Sequence, residues 1–203
     1  MASKASKIKE ERKAFYYEDD REKPILAAGV LLVKNNEVLI QKLPKDDSFQ
    51  FSDFGGKVDM TDISILETLS RELSEEINCG IYLKKNKVYL HELELREMIE
   101  KNMVKQIYAP NCKYLVAFVN FDEKKYGLDM EKIGNKEDHD NIERTVQWIT
   151  GEQFINSHFE HHLHPRLWGK PILEFFGYDG QHKIKEEEEV IVTKLKKFAF
   201  KSQ

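Results

Sequence analysis

Glu72, Glu75 and Glu76 place three carboxylates within five residues. Glu72 and Glu76 are four apart and Glu75 follows Glu72 by three, so on a helix all three fall on neighbouring parts of one side. Like charges this close repel and cost stability unless a cation sits among them. Hard divalent ions such as Mg2+ and Mn2+ take oxygen ligands of this kind. The carboxylates alone leave a second reading open: a solvated acidic face laced with intrahelical ion pairs. Arg71 stands at i,i+4 spacing between Glu67 and Glu75, where it can hold Glu75 in orientation from behind.

The neighbouring residues predict the helix. Ile65, Leu69, Leu73 and Ile77 recur every four residues as an apolar stripe, with Leu66 beside it. Ser64 and Glu67 have the spacing of a capping box, so the helix is expected to begin at Ser64. Before it, Asp53-Phe54-Gly55-Gly56-Lys57-Val58-Asp59 reads as a short loop. Its glycines allow main-chain conformations denied to other residues and let the backbone approach a ligand closely.

On these residues the segment resembles the box of the Nudix hydrolase (MutT-like) superfamily. Gly56 matches the box glycine and Gly55 the glycine that usually precedes it. Arg71-Glu72-Leu73-Ser74-Glu75-Glu76 matches the core of the motif. There are two departures. One extra residue lies between Gly56 and Arg71, and the capping box puts it in the loop before Ser64. Ile63 therefore holds the strict position of the first box glutamate, and Asp62 or Asp59 is offered for its work. Asn78 stands at the final glycine, where an Asn tolerates a left-handed conformation and can still end the helix, with Gly80 able to share the task.

The resemblance implies an α/β fold with a mixed sheet, a Nudix-type α/β/α sandwich. It implies a Mg2+ or Mn2+ site built from Glu72, Glu75 and Glu76, with the Gly56 main chain and Asp59 as further ligands. Gly55, Gly56 and Lys57 would form the segment that meets the bound ligand, and Arg71 would orient the carboxylates. A further acid from later in the chain often completes such sites or serves as the base, and Glu137 and Glu143 are the candidates. The implied reaction is hydrolysis of a diphosphate linkage in a nucleoside diphosphate derivative such as a nucleotide sugar, a dinucleotide or a nucleoside triphosphate. Capped RNA and small polyphosphates stay open as substrates. A non-catalytic Nudix-fold nucleotide sensor or interaction protein is the alternative outside enzymology, and a homodimer is an open arrangement.

The 203 residues suffice for one substantial core. A formal net charge of -4 with 33% charged residues carries no single-sign bias of the kind that marks a nucleic-acid footprint. Cys79 and Cys112 lack metal-ligand spacing, and a reducing compartment is expected. No apolar run reaches transmembrane length and no secretory signal pattern opens the chain, so a cytoplasmic protein away from membranes is expected.

The elements that must position the acids follow in order. Residues 1–22 read as a polar N-terminal extension in which Phe15-Tyr16-Tyr17 either docks on the core or pairs as a strand. The hydrolase domain is expected over 23–180. Residues 25–34 read as a buried strand, Asn35-Asn36 as a turn and 37–42 as the returning strand. A polar loop and a short strand at 51–54 then lead to the glycines. Past the helix, 81–94 is strand-like and 95–106 suggests a short helix or a long hairpin. Residues 114–121 read as a central strand, 124–141 as a long polar loop, and 143–149 as a strand entering a helix capped by Thr150 and Gln153. Trp148 reads as core. His158, His161, His162 and His164 match no strong zinc signature and no cysteine joins them. Residues 170–176 read as a final helix and 181–203 as a C-terminal extension.

Overall fold

The computed structural model describes residues 13–43, 50–133 and 145–180. Strand β1 (Phe15–Tyr16) pairs antiparallel with β2 (Pro24–Ile25), and Tyr17 stacks on Tyr108 at 5.5 Å, so the aromatic triplet both pairs and docks. The central strand is β3 (Ala27–Lys34). It is buried on both faces because helices cover both: Ala28, Val30 and Leu32 enter one apolar layer, Leu31 and Val33 the other. Asn35 and Asn36 take left-handed angles, φ 44° and 62°, and make the two-residue turn that suits the twist of a hairpin. The chain returns as β4 (Glu37–Lys42).

β3 and β4 pair only from Leu32 to Lys34 and then splay apart. The fork is filled by β5 (Phe51–Ser52) on β4 and β6 (Phe54–Lys57) on β3. β10 (Tyr114–Asn120) lies parallel to β3, β9 (Met103–Ala109) antiparallel to β10, and β12 (Thr145–Thr150) antiparallel to β4, which completes a seven-stranded mixed sheet. A separate three-stranded sheet joins β7 (Ile81–Leu83), β8 (Val88–Tyr89) and β11 (Tyr126–Leu128).

Helices α1 (Ile65–Glu76) and α2 (Glu92–Asn102) close one face of the large sheet through Leu69, Leu73, Ile77, Leu95 and Ile99. The short α3 (Met130–Ile133) adds Ile133 to the same layer. Helices α4 (Gly151–Phe159) and α5 (Lys170–Phe175) close the other face through Phe154, Ile172 and Leu173. The result is an α/β/α sandwich of the Nudix type. Among the described residues no helix is long and apolar enough to cross a membrane.

Three expectations are corrected. The strand-like reading of 81–94 covers two short strands and then the start of α2, where the His91 amide donates to Glu94 Oε2 at 3.1 Å. The helix suggested over 95–106 runs instead from Glu92 to Asn102, and Met103 opens β9. The polar loop over 124–141 contains β11 and α3, because Tyr126 is buried against Phe121 and Ile133 beneath Gly80. The strand and capped helix after it are present, with Thr150 Oγ1 accepting from the Gln153 amide at 3.2 Å and Gln153 Oε1 accepting from the Thr150 amide at 2.9 Å. Trp148 packs on the core and lies under the Lys34 ammonium, 4.1 Å from the ring centre. The extensions over 1–12 and 181–203 lie outside the described residues.

Candidate active site

α1 begins where its sequence places it. Ser64 Oγ accepts from the Glu67 amide at 3.3 Å. Glu67 does not complete the box, however. Its Oε2 accepts from the Ile63 amide at 2.7 Å and its Oε1 pairs with Arg96 of α2 at 2.7 Å, which ties the helix start to its neighbour. Of the expected Glu67–Arg71–Glu75 ladder, Glu67 pairs with Arg96 instead and the Arg71–Glu75 contact is present. Arg71 turns to the preceding loop: Nε and Nη2 donate to the two oxygens of Asp62 at 3.1 and 3.0 Å, and Nη2 also to the Lys57 carbonyl at 2.9 Å. Nη1 donates to Glu72 Oε1 at 2.8 Å and reaches Glu75 Oε2 only at 3.4 Å.

Of the two acids offered for the first box glutamate, Asp62 sits against Arg71. It is 4% exposed and also accepts from Thr68 Oγ1 at 2.7 Å and the Asp59 amide at 2.9 Å. Burial works against its charge, but Arg71, the Asp59 amide and Thr68 outweigh it and hold the carboxyl below its ordinary range. Asp59 is exposed, and its Oδ1 accepts from the amide and hydroxyl of Thr61 at 2.8 and 2.7 Å. Asp62→Asn should lower unfolding free energy by about 2 kcal/mol, because it removes one of the carboxylates that pair with Arg71 and weakens two charge-assisted hydrogen bonds, while Glu72 stays in contact with the guanidinium. Urea unfolding of the variant checks this.

The glycine pair does not lie in a loop. Gly55 and Gly56 belong to β6, opposite Gly29 and Ala28 of β3, and neither has a positive φ. Their requirement is room. Successive strand residues face opposite sides of a sheet. A Cβ on Gly55 would lie 2.2 Å from Tyr114 Oη and 2.3 Å from the Gly29 Cα, whereas one on Gly56 would lie 2.4 Å from Glu72 Oε2. The Glu72 carboxylate thus rests in a cradle that only a glycine leaves open. Glu76 Oε2 accepts from the Gly55 amide and from Gln41 Nε2, the latter at 2.6 Å. The helix carboxylates and the glycine strand are therefore seated on each other.

Glu72 is 8% exposed, Glu76 half-buried and Glu75 exposed. Burial pushes the Glu72 carboxyl above its ordinary range despite Arg71, and Glu75 adds to the rise. Lys57 is exposed at the end of β6. Among the described residues no three His, Cys, Asp or Glu side chains converge closely enough to hold a metal ion as they stand. The donor set is nevertheless all oxygen and lies on one side of one helix, with Arg71 bonded to one oxygen of Glu72. That is the chemistry of a hard divalent cation. Glu137 and Glu143 lie outside the described residues. Asn78 ends α1 at φ 49°, as expected of it. Gly80 has no left-handed angle and instead lets Ile133 pack closely.

Sequence reasoning missed a buried group behind β6, formed by Asp53, Tyr114 and Arg166 with Gln41. Its signal was an Asp set in an apolar strand beside the glycines. Close to it, His164 Nδ1 accepts from the Arg166 amide at 3.2 Å. Burial, with Arg166 adding and Asp53 opposing, pulls the His164 pKa down to about 4. The folded state thus keeps this imidazole neutral while the unfolded chain binds a proton below its ordinary 6.5. Its contribution to stability is fully present above that pH and is lost as pH falls from 6.5 towards 4. His164→Gln should flatten the fall in melting temperature across that window, as a pH series of thermal melts checks. The other histidines are dispersed: His158 and His161 pack on Trp168 and His162 pairs with Glu160.

No protein-family model and no curated protein sequence matches the chain. Solved structures with partial likeness include a bifunctional NMN adenylyltransferase/ADP ribose pyrophosphatase from Francisella tularensis, at 18% identity over 63% of this chain and 34% of that one, TM-score 0.40. A NUDIX-family hydrolase from Clostridium perfringens shows 15% identity over 74% of this chain and 94% of that one, TM-score 0.38. A MutT NUDIX hydrolase from Burkholderia pseudomallei shows 14% identity over 62% and 82%, TM-score 0.36. The chain spans only about a third of the length of the Francisella protein. Likeness at this level does not reach substrate or mechanism.

Proposed function

We propose that the chain is a divalent-metal-dependent hydrolase that cleaves a diphosphate linkage in a small nucleoside diphosphate derivative, with its hydrolytic domain over 23–180. One observation carries this reading: the Glu72 carboxylate lies in the Gly56 cradle while Glu76 is held by the Gly55 amide of the same strand. A merely solvated acidic face would have no need to press its carboxylates against a glycine backbone.

Glu72, Glu75 and Glu76, with the Gly56 main chain and Asp59, would hold Mg2+ or Mn2+. When bound, the ion neutralises the diphosphate, stabilises charge on its oxygens and acidifies a bound water. The protein's own contribution is orientation. Arg71 fixes Glu72 and clamps the 57–62 loop to the helix, while Gln41 and the Gly55 amide hold Glu76. Glu75 is exposed and weakly tethered, so it can swing to a ligand without breaking the core. Lys57, at the exposed end of β6, would meet an anionic phosphate. Glu137 and Glu143 are the candidates we propose for a further metal-site acid or the proton acceptor.

The test is turnover on a panel of nucleotide sugars, dinucleoside polyphosphates, nucleoside triphosphates and capped RNA, each with Mg2+ and with Mn2+. Hydrolysis of a diphosphate bond that EDTA abolishes is the expected result. Metal-independent turnover, or none on any substrate, would overturn the reading.

A further inference from the structure

On the face of the sheet opposite α1, the chain buries a charge pair that the proposed chemistry does not use. Asp53, between β5 and β6, is fully buried. Its Oδ1 accepts from Arg166 Nε at 2.6 Å and its Oδ2 from Tyr114 Oη at 2.9 Å. Arg166 Nη2 donates to Ser52 Oγ at 2.8 Å and to the Asp53 carbonyl at 3.1 Å, and the guanidinium carbon lies 4.8 Å from the centre of the Tyr114 ring. Burial works against the Arg166 charge, but Asp53 first, then Tyr114 and Glu76, more than restore it, so the guanidinium stays protonated.

Stability alone is a weak reason for such a pair, since apolar side chains filling the same space often stabilise as well or better. The connections explain it better. The Asp53 carbonyl that accepts from Arg166 accepts also from Gln41 Nε2 at 3.3 Å, and that same amide nitrogen donates to Glu76 Oε2 at 2.6 Å. Two residues on, the Gly55 amide donates to the same Glu76 oxygen. Arg166 therefore grips the stretch of main chain from which both donors to Glu76 are set. It does so from a turn that is 113 residues away in sequence.

We propose that Arg166 is a positioning residue for the candidate active site, fixing the Asp53 main chain and through it the Gly55 and Gln41 donors that seat Glu76. The catalytic consequence rests on the hydrolase reading; the structural link from Arg166 to Glu76 does not. Arg166→Lys keeps the charge but cannot bond Asp53 Oδ1, the Asp53 carbonyl and Ser52 with one planar fork. Its kcat should fall roughly 10- to 100-fold with KM nearly unchanged. Amide exchange at Gly55 should accelerate by roughly tenfold, while the paired amides of β3 and β10 keep their protection. The double variant Asp53→Asn, Arg166→Gln removes both charges of the pair together and guards against simple misfolding. It should melt near the wild-type temperature and lose kcat and Gly55 protection in the same way. Wild-type kcat in either folded variant, or a Gly55 amide protected as in the parent, overturns the proposal. Should the parent protein hydrolyse no diphosphate, the proposed function fails, and Gly55 exchange still decides for or against the link.

Discussion

Glu76→Gln should lower metal-dependent turnover by about a thousandfold while leaving the protein folded. The contacts at this position separate the two effects. Glu76 Oε2 accepts from the Gly55 amide and Gln41 Nε2, and a glutamine carbonyl oxygen at the same place can accept from both. What disappears is the negative charge, which a divalent ion needs and a backbone amide does not. The melting temperature should therefore stay within a few degrees of the parent, and Mn2+ binding followed by EPR should weaken along with turnover. Glu75→Gln should lose turnover too, at still smaller structural cost, since Glu75 is exposed and its contact with Arg71 is a long 3.4 Å. Parent-like turnover in both variants would remove these carboxylates from the chemistry and favour the reading in which they form a solvated face.

How much of this was legible follows from how local each interaction is. The α1 cap, its apolar stripe and the Asn35-Asn36 turn are decided within a few residues, and the structure has them where the spacing puts them. The one-residue excess between Gly56 and Arg71 also located itself, because Ser64 pins the helix start; Asp62 then takes up the guanidinium that Ile63, whose side chain is exposed, cannot. The glycines are legible only in part. Sequence says that no side chain is wanted, not whether the cause is an angle or a neighbour, and the neighbours at issue are Tyr114 and Glu72. The start of α2 was missed because a histidine precedes it in place of a usual capping residue. Nothing local to Arg166 marks it as the partner of Asp53. That pairing exists only once β5, β6 and β10 are assembled.

The two glycines offer the sharpest separation of folding from chemistry, because each would fail for a different reason. In Gly55→Ala the new methyl would meet Tyr114 Oη at 2.2 Å, the Gly29 Cα at 2.3 Å and the Ala28 carbonyl oxygen at 2.4 Å. Two of these are backbone atoms of β3, the strand at the centre of the sheet, which cannot move without disturbing its pairing with β10. A loss of about 3 kcal/mol or more is expected, at the upper end of the cost of overpacking, and much of the protein should be insoluble. In Gly56→Ala the three nearest atoms all belong to one carboxylate: Oε2, Oε1 and Cδ of Glu72 at 2.4, 2.6 and 2.7 Å. A side-chain end can turn away, so the stability cost should be only about 1 kcal/mol. The turn breaks the 2.8 Å contact with Arg71 and removes Glu72 from the cradle. Turnover should then fall about a hundredfold in a protein that remains folded, as expected when a group is displaced by an ångström. Thermal melts and kcat measured side by side decide the matter. Adding Glu72→Asp to Gly56→Ala sharpens it further: the shorter acid makes room for the methyl and should recover stability, but its carboxylate falls short of the site and turnover should not return. Full activity in Gly56→Ala would mean that Glu72 acts from some other position than the cradle in which the structure holds it.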